Sequence, residues 1–265
     1  MPCTVKTLSP LTAGLLCSLL ALFPVATLAE SGLAAQLDWG ERYVITAPVA
    51  GRIKAVHVRT GARVEANDVL FGLDTRRASA DLRAANATVE RLQLELDEAE
   101  RELNKAEDLY DRTLVAAREV ELARIEHATV AARMTEARAQ RDRIRVDIED
   151  ATIRAPASGR MARVNASPGQ YVNPALVPPV LGVVGTTDPM RAIARVAGEI
   201  AGALQSGHKA EVVIGDRAFS GTIAVVGWEP EAADNQRSYR VEVTFPVPEG
   251  ARLRPGQSAR IELEP

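Results

Sequence analysis

Residues 45–64 read ITAPVAGRIKAVHVRTGARV, and residues 153–172 read IRAPASGRMARVNASPGQYV. Aligned without gaps at an offset of 108, eight of twenty positions are identical. Ile45, Ala47, Pro48, Gly51, Arg52, Val56, Gly61 and Val64 recur as Ile153, Ala155, Pro156, Gly159, Arg160, Val164, Gly169 and Val172. Agreement of this kind marks an internal repeat. Each copy has the chemistry of short strands joined by turns. Pro48 and Pro156 lack an N–H and suit a strand edge. Ala50-Gly51 and Ser158-Gly159 supply one turn, and Gly61 and Gly169 a second. One copy is too small to bury a core, so the two are expected to pair into a single β unit.

Between the copies the apolar period changes. Leu82, Ala85, Val89, Leu92, Leu96, Ala99, Leu103, Ala106 and Tyr110 follow one another at alternating steps of three and four. That spacing is an a/d seam, the mark of a helix that pairs with another helix. A second seam runs through Val120, Ala123, Val130, Met134, Ala137, Ile144 and Ile148, with His127 and Arg141 as its polar members. Neither segment contains Gly or Pro, and the stretch between them, residues 111–117, is short. Two helices of about 33 residues, each roughly 50 Å long, are therefore predicted to fold back as an antiparallel hairpin. Such a hairpin returns to its starting point. It can be inserted between two halves of one β unit without separating them, so the split repeat and the matched helices imply each other.

Beyond the second copy, residues 210–214, 221–226, 239–245 and 259–263 read as short strands punctuated by Gly207, Gly215, Gly250 and Leu253-Arg254-Pro255-Gly256-Gln257. Short strands at this spacing predict a small barrel. Residues 199–204 are read as a short helix closing one end. At the other terminus, Lys6 precedes an apolar run over residues 11–23 broken by Thr12, Gly14 and Ser18. Pro24 and Ala26-Thr27-Leu28-Ala29 follow, which predicts a secretory signal cleaved after Ala29. A retained membrane anchor is the alternative. Cys3 and Cys17 both lie in this segment, so the mature chain is expected to have no disulfide and no thiolate site.

Composition excludes several functions. The 265 residues carry a net charge of -3, with no basic concentration suited to nucleic acid. His57, His127 and His208 fall one to each predicted unit and lack the spacing of a metal site. The carboxylates Glu95, Asp97 and Glu98 alternate with Arg91 and Arg101, the pattern of a solvated helix face. No nucleophile–base pair and no phosphate-binding glycine loop is present, so neither enzymatic activity nor a cofactor is expected.

The half-motifs Ala47-Pro48-Val49-Ala50-Gly51-Arg52-Ile53 and Ile153-Arg154-Ala155-Pro156-Ala157-Ser158-Gly159-Arg160 resemble the halves of a split lipoyl domain. With the helical insertion and the closing Leu253-Arg254-Pro255-Gly256, the chain resembles the membrane-fusion-protein or HlyD-like periplasmic adaptor family. The resemblance implies a multidomain, elongated α+β fold. Its parts would be a signal peptide (1–29), the first half of a lipoyl-like sandwich (30–75), an α-helical coiled-coil hairpin (76–151), the second half (152–186) and a β-barrel (187–265). Pro48, Gly51, Gly61, Pro156, Gly159 and Gly169 would be structural. Lys54, Lys105 and Lys209 do not occupy the turn where a carrier domain attaches its cofactor.

The resemblance also implies an adaptor that bridges an inner-membrane transporter to an outer-membrane channel, self-associates into a ring of six, and resides in the periplasm. In the family the hairpin tip docks on the channel through a basic residue, a Leu four positions on and a Ser seven beyond. The matching positions are Lys105, Leu109 and Ala116, with Lys in place of Arg and Ala in place of Ser. Arg112, Leu114 and Val115 complete the expected docking set, and Arg112 could supply the guanidinium. An RND-type transporter is weighed slightly above an ABC-type one, although the sequence stops nine residues after Gly256, short of the membrane-proximal domain many RND adaptors carry. The altered tip leaves a periplasmic scaffold or binding protein that never meets a channel as the alternative.

Overall fold

The computed structural model describes residues 32–175, 178–233, 236–248 and 250–263; the signal expected over residues 1–29 lies outside them. The two copies of the repeat build two facing four-stranded sheets. One has the order Arg42–Thr46, Val180–Gly185, Gly159–Val164, Arg63–Val64, and the other Thr152–Arg154, Val69–Leu73, Gly51–Val56, Tyr171–Val172. Each sheet therefore contains strands from both copies, and neither copy is a unit alone. Ile45, Ile53, Leu70, Phe71, Met161, Leu181 and Val184 fill the space between the sheets.

The repeat folds with local two-fold symmetry, and the bonds that tie its copies together come in matched pairs. The Gly61 N–H donates to the Met161 carbonyl at 2.7 Å, and the Gly169 N–H donates to the Ile53 carbonyl at 2.8 Å. Both glycines have positive φ, 84° and 88°, where a side chain would be strained. The guanidiniums follow the same rule. Arg160 donates to the Gly61 carbonyl and Arg52 to the Gly169 carbonyl, each at 3.0 Å. The recurring Arg of one copy thus holds the recurring turn of the other. Both side chains are exposed, so each bond is worth about 1 kcal/mol. Arg52→Ala and Arg160→Ala should each lower stability by about that much, and together by about twice as much, read as urea midpoints.

Helix α1 (Arg76–Asp111) and helix α2 (Ala117–Asp150) occupy most of the sequence between the copies. They run antiparallel: Arg124 pairs with Glu107 at 2.9 Å and Arg138 donates to Gln93 at 3.0 Å, and in each pair the two residues lie equally far from the connecting turn. The apolar period dictated which face is covered. Leu92 and Ala99 are buried on α1, and Val120, Val130 and Met134 on α2. Tyr110, at the tip end of its seam, is exposed. Thr75 at the start of α1 makes no side-chain cap. Asp74 takes its place, accepting from the Arg76 N–H at 3.1 Å and from its guanidinium at 2.6 Å. That guanidinium lowers the Asp74 carboxyl to about 2. The contact therefore supports the fold above the ordinary carboxylate range and is lost only as pH falls toward about 2.

Six strands close into a barrel in the order Met190–Val196, Leu33–Asp38, Ser258–Leu263, Lys209–Ile214, Arg217–Val226, Gln236–Phe245, with the last pairing back on the first. Closure removes both edges of the sheet. Val212, Val241, Val243, Phe245 and Ile261 are fully buried inside. The sequence reading assigns residues 30–75 to the sandwich, but Leu33–Asp38 is a barrel strand between Met190–Val196 and Ser258–Leu263. The barrel therefore needs chain from both sides of the sandwich. Helix α3 (Gly198–Ala203) follows the strand Met190–Val196, as expected from residues 199–204.

Two strand crossings join barrel to sandwich, and they are held tightly. The Gly40 N–H donates to the Thr186 carbonyl at 3.2 Å, and the Thr186 N–H donates to the Glu41 carbonyl at 3.0 Å. The Arg191 Nε donates to the Trp39 carbonyl at 3.0 Å, while its Nη1 meets the buried Glu242 carboxylate at 2.9 Å. Arg240 satisfies the other Glu242 oxygen at 2.6 Å, so this buried charge is fully paired.

Candidate docking site at the helical turn

Residues 112–116 connect α1 to α2 and expose the side chains that could meet a partner. The backbone path is set by two bonds. The Thr113 N–H donates to the Tyr110 carbonyl and the Leu114 N–H to the Leu109 carbonyl, both at 2.8 Å. This is a Schellman ending, which places the residue at the Thr113 position in the left-handed region. Thr113 has φ 63°, a conformation that glycine takes freely and a β-branched residue resists. Thr113→Gly should relieve about 1 kcal/mol of this strain, read as a higher melting temperature.

The turn brings together five of the six residues expected to dock. Leu114 is 67% exposed. Leu109 and Val115 are half-buried, and Ala116 is exposed. Arg112 reaches the Asp108 carboxylate at 2.9 Å, so its guanidinium is held against α1. Lys105 lies nearly two helical turns before Arg112, paired with Glu102 at 3.3 Å. Six carboxylates and three cations fall between Glu102 and Glu121, so an apolar tip sits in an acidic collar. No three His, Cys, Asp or Glu side chains gather as a metal site among the described residues.

Ala116 is the N-cap of α2 and makes no side-chain cap. Glu119 stands three residues later, its N–H donating to the Ala116 carbonyl at 2.9 Å. A Ser at position 116 would complete a capping box whose acidic half is already present. Ala116→Ser should therefore add about 1 kcal/mol, checked by thermal melting. Sequence reasoning missed Thr113 and Glu119; a Ser/Thr-x-x-Glu search finds neither, because the cap position is Ala.

The glycines and prolines of the repeat occupy framework positions well removed in sequence from the turn. Pro48 and Pro156 are exposed beside the first residues of each half. Gly159 and Gly51 hold matching places in the paired repeat, but different neighbours pack on them. A Cβ at Gly159 would lie 2.2 Å from the Gly185 carbonyl oxygen, whereas one at Gly51 would meet nothing closer than Leu73 at 3.5 Å.

Comparison with known proteins agrees with this geometry. Residues 41–184 match the family model described as "RND MFP, barrel-sandwich hybrid domain". The macrolide export protein MacA of Escherichia coli O157:H7 is 25% identical over 246 residues, 86% of this chain and 66% of that protein. The chain thus spans just under two thirds of the length of that relative. A crystallised MacA–MexA chimera carrying the Pseudomonas aeruginosa MexA α-hairpin domain has a TM-score of 0.68 at 19% identity, covering 88% of this chain and 79% of the chimera. The membrane fusion protein Spr0693 of Streptococcus pneumoniae R6 has a TM-score of 0.69 at 15% identity, covering 88% and 98% respectively. Those structural likenesses concern the fold alone. The matched family model spans more than half of the sequence and both copies of the repeat, and the chain belongs to the membrane fusion proteins, the family of HlyD-like periplasmic adaptors.

Proposed function

We propose that this chain is the adaptor subunit of a tripartite efflux system, joining an inner-membrane transporter to an outer-membrane channel without catalysis of its own. The observation that carries the reading is the helical pair inserted between the two halves of one sandwich. Its a/d seam makes it a coiled-coil arm with its exposed tip as far from the sandwich as the helices reach, about 50 Å. An RND-type transporter is favoured over an ABC-type one because the matched family model is the RND one. A single arm cannot enclose a conduit, so several copies, six by family resemblance, are expected to stand as a ring in the periplasm. The docking set is Lys105, Leu109, Arg112, Leu114, Val115 and Ala116.

The test replaces residues 109–116 with a Gly/Ser turn of equal length and measures export in cells. Loss of export, with the protein made at its normal level and still co-purifying with the transporter, is the expected result. Unchanged export together with loss of some other periplasmic partner would favour the scaffold role instead, a role that the Ala116 and Lys105 departures make worth testing.

A further inference from the structure

Trp228 is 95% exposed, more than any other large apolar side chain described. Its loop is held on both sides: the Gly227 N–H donates to the Arg240 carbonyl at 2.7 Å, and Glu231 pairs with Arg195 at 3.2 Å. Backbone pairing thus flanks Trp228 on either side, at Gly227 with Arg240 and at Glu231 with Ser238. Strand register locates it. Val226 lies opposite Val241, Tyr239 opposite Val196, and Ala194 opposite Ala35. Trp228, helix α3 and Gly32 consequently share one rim of the barrel, with Trp228 and Gly32 three strand spacings, about 15 Å, apart around it. Ile200 on α3 is 39% exposed on the same rim. The sandwich joins the barrel at the other rim, through Trp39 after Asp38 and Pro189 before Met190.

We propose that this rim is a lipid-docking surface, with Trp228 inserting into the headgroup layer of the inner membrane and Ile200 beside it. An indole has an apolar body and one N–H donor, which suits the boundary between acyl chains and headgroups. The upstream sequence supports this occupant. The apolar segment over residues 11–29 ends three residues before Gly32. Gly32 leads directly into the strand Leu33–Asp38, so a segment kept as an anchor would be joined to the barrel by the few residues that precede this strand. Charges of both signs surround the rim, with Glu199 and Glu229 against Lys209 and Arg237, all exposed. That balance fits a mixed headgroup layer and gives no concentrated cationic patch for anionic lipid alone. Which membrane the rim faces rests on the adaptor reading; the contact with lipid does not.

The exported protein, purified with the N-terminus that cells leave on it, is mixed with phosphatidylcholine–phosphatidylglycerol vesicles and with vesicles brominated on their acyl chains. The other tryptophan, Trp39, is half-buried, so Trp228→Ala isolates the signal. The wild-type emission is expected to move to shorter wavelength and to be quenched by the brominated lipid, and Trp228→Ala should lose both effects. A Trp228→Phe, Leu94→Trp double variant moves the exposed indole to the flank of α1, where Leu94 is 71% exposed, and should show neither. Raising salt to about 1 M, where screening acts within about 3 Å, should leave the quenching in place. Equal quenching of the double variant, or none in the wild type, overturns the proposal. So does a shift that needs the detergent-solubilised transporter and ignores vesicles, since the rim would then dock on protein. The assay contains no channel, so its outcome is separable from that of the export test.

Discussion

Gly159→Ala is expected to lower the stability of the sandwich by about 3 kcal/mol, while Gly51→Ala, at the matching place in the repeat, changes it by less than about 1 kcal/mol. The added methyl at 159 would lie 2.2 Å from the Gly185 oxygen, 2.9 Å from the Gly185 carbonyl carbon and 3.1 Å from the Thr186 Cα. All three are backbone atoms, so no side chain can rotate away. Gly185 cannot retreat either, because its own Cβ position lies 2.2 Å from the Trp39 ring. Strand, strand and indole are stacked with no spare room. At Gly51 the new methyl makes an ordinary contact with Leu73, and the loss of glycine's freedom in the unfolded chain offsets part of any cost. Urea denaturation of the two variants checks this. Equal effects would show that the junction yields more than its backbone contacts allow.

Leu114→Asp is expected to abolish export while leaving the fold intact. Leu114 is two-thirds exposed at the turn, so exchanging it should alter stability by no more than about 0.5 kcal/mol. A carboxylate there would join a collar that is already acidic and would have to be desolvated wherever the tip meets an apolar socket. Loss of one central apolar anchor commonly lowers affinity by tenfold or more. The expected result is unchanged melting, unchanged co-purification with the transporter, and export reduced to the level of a strain lacking the protein. Normal export by this variant would remove Leu114 from the docking set.

The fold was legible where its cause is local. Proline and glycine at fixed offsets exposed the repeat, and the three-four spacing exposed both helices, because those signals follow from backbone geometry within a few residues. The same holds for the positive-φ turns at Gly61 and Gly169. What sequence could not show depends on pairing between distant residues. Arg52 and Arg160 were visible as identities, but nothing local says that each bonds to the opposite copy's turn. Leu33–Asp38 has the alternation of a strand in either unit; only closure of the barrel assigns it there. Gly51 and Gly159 look alike in the repeat, and their difference comes from the Gly185–Thr186 backbone packed on Gly159 and backed by Trp39, more than a hundred residues from Gly159. At the tip, the docking pattern was found through family likeness, yet the strained Thr113 and the uncapped Ala116 became visible only with the backbone in place.

The central claim is that the tip meets an outer-membrane channel, and photo-crosslinking in living cells tests it most directly. A benzophenone amino acid at position 114 would be activated by ultraviolet light and the adducts identified by mass spectrometry. The adaptor account predicts one dominant adduct with an outer-membrane channel protein, lost when Ala116 or Leu109 is replaced by Asp. Adducts confined to soluble periplasmic proteins, in cells that contain the channel and a normal level of this chain, would contradict it.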